Sequence, residues 1–203
     1  ISENVKENKV IKSIDNNCDT RGITIDGTDE NNWNLIFKKE PSLKKYLKDK
    51  RKFPYKNISI NEFFELNFPN IKSISKENKN KLQLSPCGLY SITVKRDQDN
   101  ILSTMKKELK DVKNIKITDI CGGNGIDALN FITNKLTSEV IVYELEKGHR
   151  EIIYSNFKQY NLLKNLKIKE EFRINSEINT NVLYADPPWG GVNYVKGQGT
   201  GEF

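Results

Sequence analysis

Two stretches of this chain hold residues whose types and spacing suit chemistry on a nitrogen atom. The first is Asp186-Pro187-Pro188-Trp189-Gly190-Gly191. Two consecutive prolines fix φ and remove two backbone donors, so the turn is stiff while its carbonyls remain as acceptors. Asp186 adds a carboxylate. Acceptors converging on one point suit an exocyclic amine, which offers two hydrogens. Trp189 offers a flat face on which a base can stack. A positively charged base would gain a further cation–π attraction of about 0.5–2 kcal/mol. Gly190 and Gly191 leave room beyond the ring. Asp186, Pro187, Pro188 and Trp189 are therefore candidate catalytic residues, and Trp189, Gly190 and Gly191 candidate substrate contacts.

The second stretch is Asp119-Ile120-Cys121-Gly122-Gly123-Asn124-Gly125, with Gly123 and Gly125 four and six residues after Asp119. Glycines there permit a tight turn and close approach of a ligand to the backbone. If the turn opens a helix, its free N–H groups favour an electron-rich ligand. Glu144 follows 19 residues after Gly125, where an acid at the tip of the next strand accepts the hydroxyls of a ribose. The G-x-G-x-x-G run of dinucleotide-binding folds is absent. A packing turn with a surface glutamate is the bland alternative.

Both motifs need a sheet to carry them, and the pattern supplies one. Ile101 to Val112 has Leu102, Met105, Leu109 and Val112 on one helical stripe. Ile115 to Ile120 reads as a strand, Ile126 to Leu136 as a helix and Val140 to Tyr143 as a strand ending at Glu144. Glu146 to Leu163 reads as a helix, Leu166 to Ile174 as a third strand and Val182 to Ala185 as a fourth. Alternating strands and helices mean βαβ units and a parallel sheet. Both motifs then lie at its carboxyl edge, where open α/β sheets bind ligands. Residues 1–84 read as an α+β extension of unknown role, with the core over 85–203. In the extension, Ile23 and Ile25 pair with Trp33 to Phe37 in a hairpin, and helices cover 41–52 and 61–67.

Composition narrows the class. The chain has 203 residues, 36% hydrophobic and 30% charged, with net charge +6. The basic excess permits a polyanionic partner without proving one. Lysines crowd residues 38–56, interleaved with Tyr46, Phe53 and Tyr55. They form either a surface tracking RNA phosphates or a solvated helix face. Cys18, Cys87 and Cys121 lie far apart and His149 is the one histidine. No zinc site or disulfide framework is expected, and the compartment is expected to be intracellular, nuclear or cytoplasmic. No apolar run is long enough to span a membrane. Abundant Asn, Lys and Ile are a coding signature of an AT-rich genome, such as that of a parasite or large virus. Trp33 either supplies a second face for a stacked base or packs the hairpin, and His149 is expected at the surface.

Together the motifs resemble the trimethylguanosine synthase family, which adds methyl groups to N2 of the 7-methylguanosine RNA cap. The resemblance covers residues 85 to 195. It rests on Asp119 to Gly125, on Pro187 to Gly191 and on Gly88-Leu89-Tyr90-Ser91-Ile92-Thr93. It implies a Rossmann-like class I methyltransferase fold, α/β with a parallel sheet and helices on both faces. S-adenosylmethionine is the implied cofactor and RNA the implied partner, with no metal. Ser91, Thr93, Asp119, Cys121, Gly123, Gly125, Glu144 and Asn175 become candidate cofactor contacts, Asp119 near the methionine amine and Asn175 near the adenine.

The chain departs from that family in two places. Asp186 stands where a Ser is usual, a pattern commoner among N6-adenine enzymes and guanine-N2 enzymes of other RNAs. Cys121 is offset by one from the usual Cys. A class I sheet also needs about three strands beyond the fourth, so the fold is expected to be truncated here or completed by another chain. A non-catalytic cap-binding or scaffolding subunit is the alternative from another class.

Overall fold

In the computed structural model of the chain, the residues described are 23–24, 60–85, 88–173, 175–176 and 178–187. The expected hairpin partner 33–37, the helix 41–52, the lysine-rich stretch and Pro188 to Gly191 lie outside them. So do the side chains of Ile23, Thr24, Ile60 and Tyr90.

The elements run β1 (Ile23–Thr24), α1 (Ile60–Asn67), α2 (Lys76–Lys79), β2 (Gln83–Leu84), α3 (Gly88–Ser91), α4 (Lys95–Glu108), β3 (Ile117–Asp119), α5 (Ile126–Thr133), β4 (Val140–Tyr143), α6 (Lys147–Gln159), β5 (Leu166–Lys169) and β6 (Val182–Tyr184). Four strands form one parallel sheet in the order β5-β4-β3-β6. The chain therefore starts mid-sheet, steps outward twice, then returns to the other side of β3. That reversal makes a switch point between β3 and β6, and the crevice beyond it is the ordinary ligand site of such sheets. The expected Rossmann-like parallel sheet is present.

Register decides what each strand presents. Ile117, Val140, Leu166 and Val182 lie side by side, as do Asp119, Val142, Ile168 and Tyr184. The apolar members of these rows join one core with Leu129, Phe131, Ile153 and Phe157 of the helices. The alternate row, Thr118, Ile141, Lys167 and Leu183, faces the other way, and Leu183 is 50% exposed. Side chains alternate because the period of a strand is two.

Helix ends differ from the expected ones for local reasons. α4 begins six residues before the expected Ile101 and stops at Glu108, leaving Val112 exposed. A turn with Asn114 at φ 53° follows, so that the chain can reverse into β3. α5 stops at Thr133 because Lys135 adopts φ 58°, and Leu136 N–H then bonds Phe131 O at 2.9 Å. Asn161, at φ 57°, ends α6 the same way, with Leu162 N–H on Phe157 O at 2.9 Å.

The described part of the extension belongs to this core. Phe63, Phe64, Phe68, Leu82 and Leu84 are buried in the same cluster as the sheet, and Tyr160 Oη donates to Pro69 O at 2.8 Å. β1 pairs antiparallel with β2, Ile23 opposite Leu84, a partner the sequence reading did not foresee. Phe157 is fully buried on α6. Phe157→Ala is expected to cost about 3–5 kcal/mol, from lost transfer energy and the cavity left behind. Denaturant unfolding midpoints check this, and a loss under about 1 kcal/mol would contradict the packing described.

Candidate functional site

The glycine turn joins β3 to α5 and is held by its neighbours. Gly122 N–H donates to Tyr143 O at 2.9 Å, and a Cβ there would sit 2.2 Å from Val142 Cγ1. Only a glycine lets the turn pass so close to β4. Gly123 is the opposite case: its φ is 49°, and a Cβ there would meet nothing within 4 Å. The turn is open at that point, leaving space for a ligand to approach the backbone. Gly125, at φ 77°, is the N-cap of α5.

Glu144 closes on this turn from the tip of β4. Its Oε2 accepts from Gly123 N–H at 2.6 Å and its Oε1 from Glu146 N–H at 2.9 Å. Two of its roughly four lone-pair sites remain for other donors.

Asp119 ends β3 buried, and its Oδ1 accepts from Cys121 N–H at 3.1 Å. Burial pushes its carboxyl up to about 8, and the nearby Asp127, Glu144 and Asp186 push the same way. Burial also raises Asp127 to about 6. The Cys121 thiol is raised to about 11, mainly by burial and then by Asp119; it stays protonated at neutral pH and is no nucleophile. Buried carboxyls this close cannot all ionise cheaply, and a cation among them would bring the raised values down.

Asp186 and Pro187 follow β6 at the same edge. Ile120 N–H bonds Tyr184 O at 3.0 Å, so the exits of β3 and β6 run together, and Asp186 acts electrostatically on Asp119, Cys121 and Asp127. Thr93 joins from a third side, its Oγ1 donating to Asp127 Oδ2 at 2.7 Å. The structure thus brings Thr93, Asp119, Cys121, Gly123, Glu144 and Asp186 to one crevice. Ser91 is exposed beside it, and Asn175 is exposed beyond β5.

Several site residues escaped the sequence reading. Asp127 follows Gly125 by two, a polar residue in the first turn of α5. It is the carboxyl that links Thr93 to the sheet edge, and its Oδ1 is buried with no hydrogen-bond partner within 3.5 Å among the described residues. Tyr184 packs edge-on against Phe131 at 5.0 Å and lies near Asp127. His149 is a correction: expected at the surface, its side chain is 14% exposed and lies against Glu144. Its spacing of five from Glu144, across a helix start, was the available signal.

The raised carboxyls give stability a sign with pH. The unfolded chain releases the Asp119 proton near 3.8, while the folded chain keeps it to about 8. Between those values the unfolded state binds fewer protons, so stability falls as pH rises through that window. Asp127 acts in the same direction up to about 6. Asp119→Asn is expected to flatten the fall and to raise Tm in mildly alkaline buffer, as read by thermal unfolding of the ligand-free chain. Identical slopes for the two proteins would contradict the buried, protonated Asp119.

Residues 114–200 match the model of a family described as RNA cap guanine-N2 methyltransferase. No curated protein matches the chain by sequence. Among solved structures it is similar to the human METTL16 catalytic domain in complex with the MAT2A 3′UTR hairpin 1, with 14% identity over 87% of this chain and 62% of that one, TM-score 0.48. The N-terminal domain of human METTL16 in complex with S-adenosylhomocysteine gives 15% identity over 84% and 72%, TM-score 0.43. A human methyltransferase 10 domain containing protein gives 18% over 52% and 54%, TM-score 0.44. The chain spans 46%, 37% and 54% of the first three solved chains it matches. The matched segment runs from the entry to β3 through the Asp-Pro-Pro-Trp motif and covers less than half of the chain.

Proposed function

We propose that this crevice transfers a methyl group from S-adenosylmethionine to the exocyclic N2 of a 7-methylguanosine RNA cap. The observation that carries the reading is the convergence of Asp119, the open Gly123, Glu144 and Asp186 on one switch point, within the matched segment. The residues fit the cofactor. Glu144 keeps lone pairs for a ribose, Gly123 leaves room beside the turn, and the buried Asp119 gains from a cationic amine nearby.

When bound, the cofactor supplies an electrophilic methyl on a positively charged sulfur. This chain's residues do the positioning. The guanine amine is a weak nucleophile because its lone pair is delocalised into the ring. Asp186 Oδ and the Pro187 carbonyl accept its two hydrogens, hold the nitrogen pyramidal and direct the lone pair at the methyl. Trp189 stacks on the base and fixes its plane. Methyl transfer would leave the positive charge on the amine, beside Asp186, from which the proton would pass to solvent. Most of the rate comes from this orientation.

Trp189→Ala separates base from cofactor. It is expected to weaken 7-methylguanosine cap analogue by about tenfold or more, the loss of one stacked base, with S-adenosylhomocysteine affinity unchanged. Calorimetric titration of each ligand checks this, and loss of both in a folded protein would remove Trp189 from the stacking role. The Asp-Pro-Pro-Trp pattern also favours a second reading, an adenine or internal guanine as acceptor. Wild-type chain that binds the cofactor but no cap analogue would select it.

A further inference from the structure

His149 stands on the first turn of α6, with Nε2 3.1 Å from Ser85 Oγ and Nδ1 3.5 Å from Glu144 Oε1. Hydrogen-bond accounting fixes where its proton lies. Ser85 Oγ accepts from Gly88 N–H at 2.9 Å and from Asn124 Nδ2 at 3.1 Å. The Asn124 amide cannot be reversed, because its Oδ1 accepts from Ser85 N–H at 2.7 Å. A hydroxyl has two lone pairs and one hydrogen. Both lone pairs of Ser85 are taken, so its hydrogen goes to His149 Nε2. That nitrogen must be bare, and the neutral ring carries its proton on Nδ1, beside Glu144.

We propose that His149 is a positioning residue for Glu144: held by Ser85 as the Nδ1–H tautomer, it orients the carboxylate toward the cofactor ribose and ties it to the 85–93 segment. The proposal rests on Glu144 as the ribose acceptor. Backbone N–H groups of Gly123 and Glu146 fix one site on each carboxylate oxygen. The Nδ1–H at 3.5 Å is too long to use up a third lone pair, so two stay free for two hydroxyls. The Nδ1–H beside Oε1 still favours this orientation of the carboxylate. Through Ser85 the same ring is joined to Gly88 at the start of α3, and Thr93, just past that helix, bonds Asp127 on α5. Cofactor ribose and the segment beside it are thereby coupled through one imidazole.

The chain has a single histidine, so its ring nitrogens can be read without ambiguity. Long-range proton–nitrogen NMR, at a pH where the ring is neutral, is expected to show the Nδ1–H tautomer in the wild type and a tautomer mixture in Ser85→Ala. Calorimetry then compares S-adenosylhomocysteine with its 2′-deoxy analogue. His149→Ala is expected to weaken the first about fivefold, through the lost orientation of the Glu144 carboxylate, and the second much less. His149→Asn, whose amide N–H stands near that of Nδ1, is expected to recover most of the loss. An Nε2–H tautomer, or an equal loss for both ligands, overturns the proposal. Wild type that binds and His149→Ala that binds equally well sinks the proposal alone. Wild type that binds neither ligand sinks the ribose reading with it.

Discussion

Asp186→Ala is expected to bind S-adenosylhomocysteine and cap analogue as the wild type does, yet to lose turnover by about 100-fold or more, the usual cost of one preorganised polar group at the reacting atom. The argument is one of position. Asp186 follows β6 by two residues, at the edge where β3 and β6 exit together, and acts on Asp119, Cys121 and Asp127. An acceptor that only aims an amine contributes little to holding a base already stacked on a ring. Its removal therefore appears in kcat, with KM nearly unchanged. Removing a carboxyl from the acidic cluster also lowers the penalty on its neighbours, so Tm is expected to hold or rise. Turnover equal to wild type at saturating substrate would take Asp186 out of the mechanism.

Glu144→Ala is expected to raise the dissociation constant for S-adenosylhomocysteine by about 100-fold, since hydrogen bonds to a charged group are worth about 1.5–3 kcal/mol each. The variant also releases Gly123 and Glu146 N–H. Glu144→Gln separates the two effects, because an amide oxygen still accepts from one of these groups but carries no charge. Intermediate affinity for Glu144→Gln, with its Tm close to wild type, marks the charge on Glu144 as part of ribose binding. Unaltered affinity in both variants would leave Glu144 as a brace for the turn.

The parallel sheet was readable because its strands carry unbroken apolar runs. Val140 to Tyr143 is buried throughout and the expected bounds match the observed ones. Helix ends were less legible. Val112 continues the apolar stripe of α4, yet the chain leaves the helix at Glu108 in order to turn back into β3. Nothing in the helical period encodes that demand, which comes from the sheet. The fusion of residues 60–85 with the core was hidden for the same reason: Phe63, Phe64 and Phe68 declare burial without naming what buries them.

The site shows the same division. Asp119, Gly123, Gly125 and Glu144 were legible because a turn between a strand and a helix demands those residue types at those spacings. His149, Ser85 and Asn124 were not. Their roles depend on a hydrogen-bond network closed between residues 64 and 39 positions apart. A serine, an asparagine and a histidine that far apart carry no local signal. Asp127 is intermediate: its place in the first turn of α5 is visible, but its burial and its bond to Thr93 appear only in three dimensions.

The most direct test is transfer itself. The full chain would be incubated with S-adenosylmethionine carrying a labelled methyl and, in parallel, with 7-methylguanosine-capped RNA, the same RNA with an unmethylated guanosine cap, and uncapped RNA. Nucleoside analysis by mass spectrometry then locates the label. The account predicts label on the exocyclic N2 of the 7-methylguanosine cap, little on the other two RNAs, and none with Asp186→Ala. Label on adenine N6 or on an internal guanine, equal with and without the cap, would contradict it.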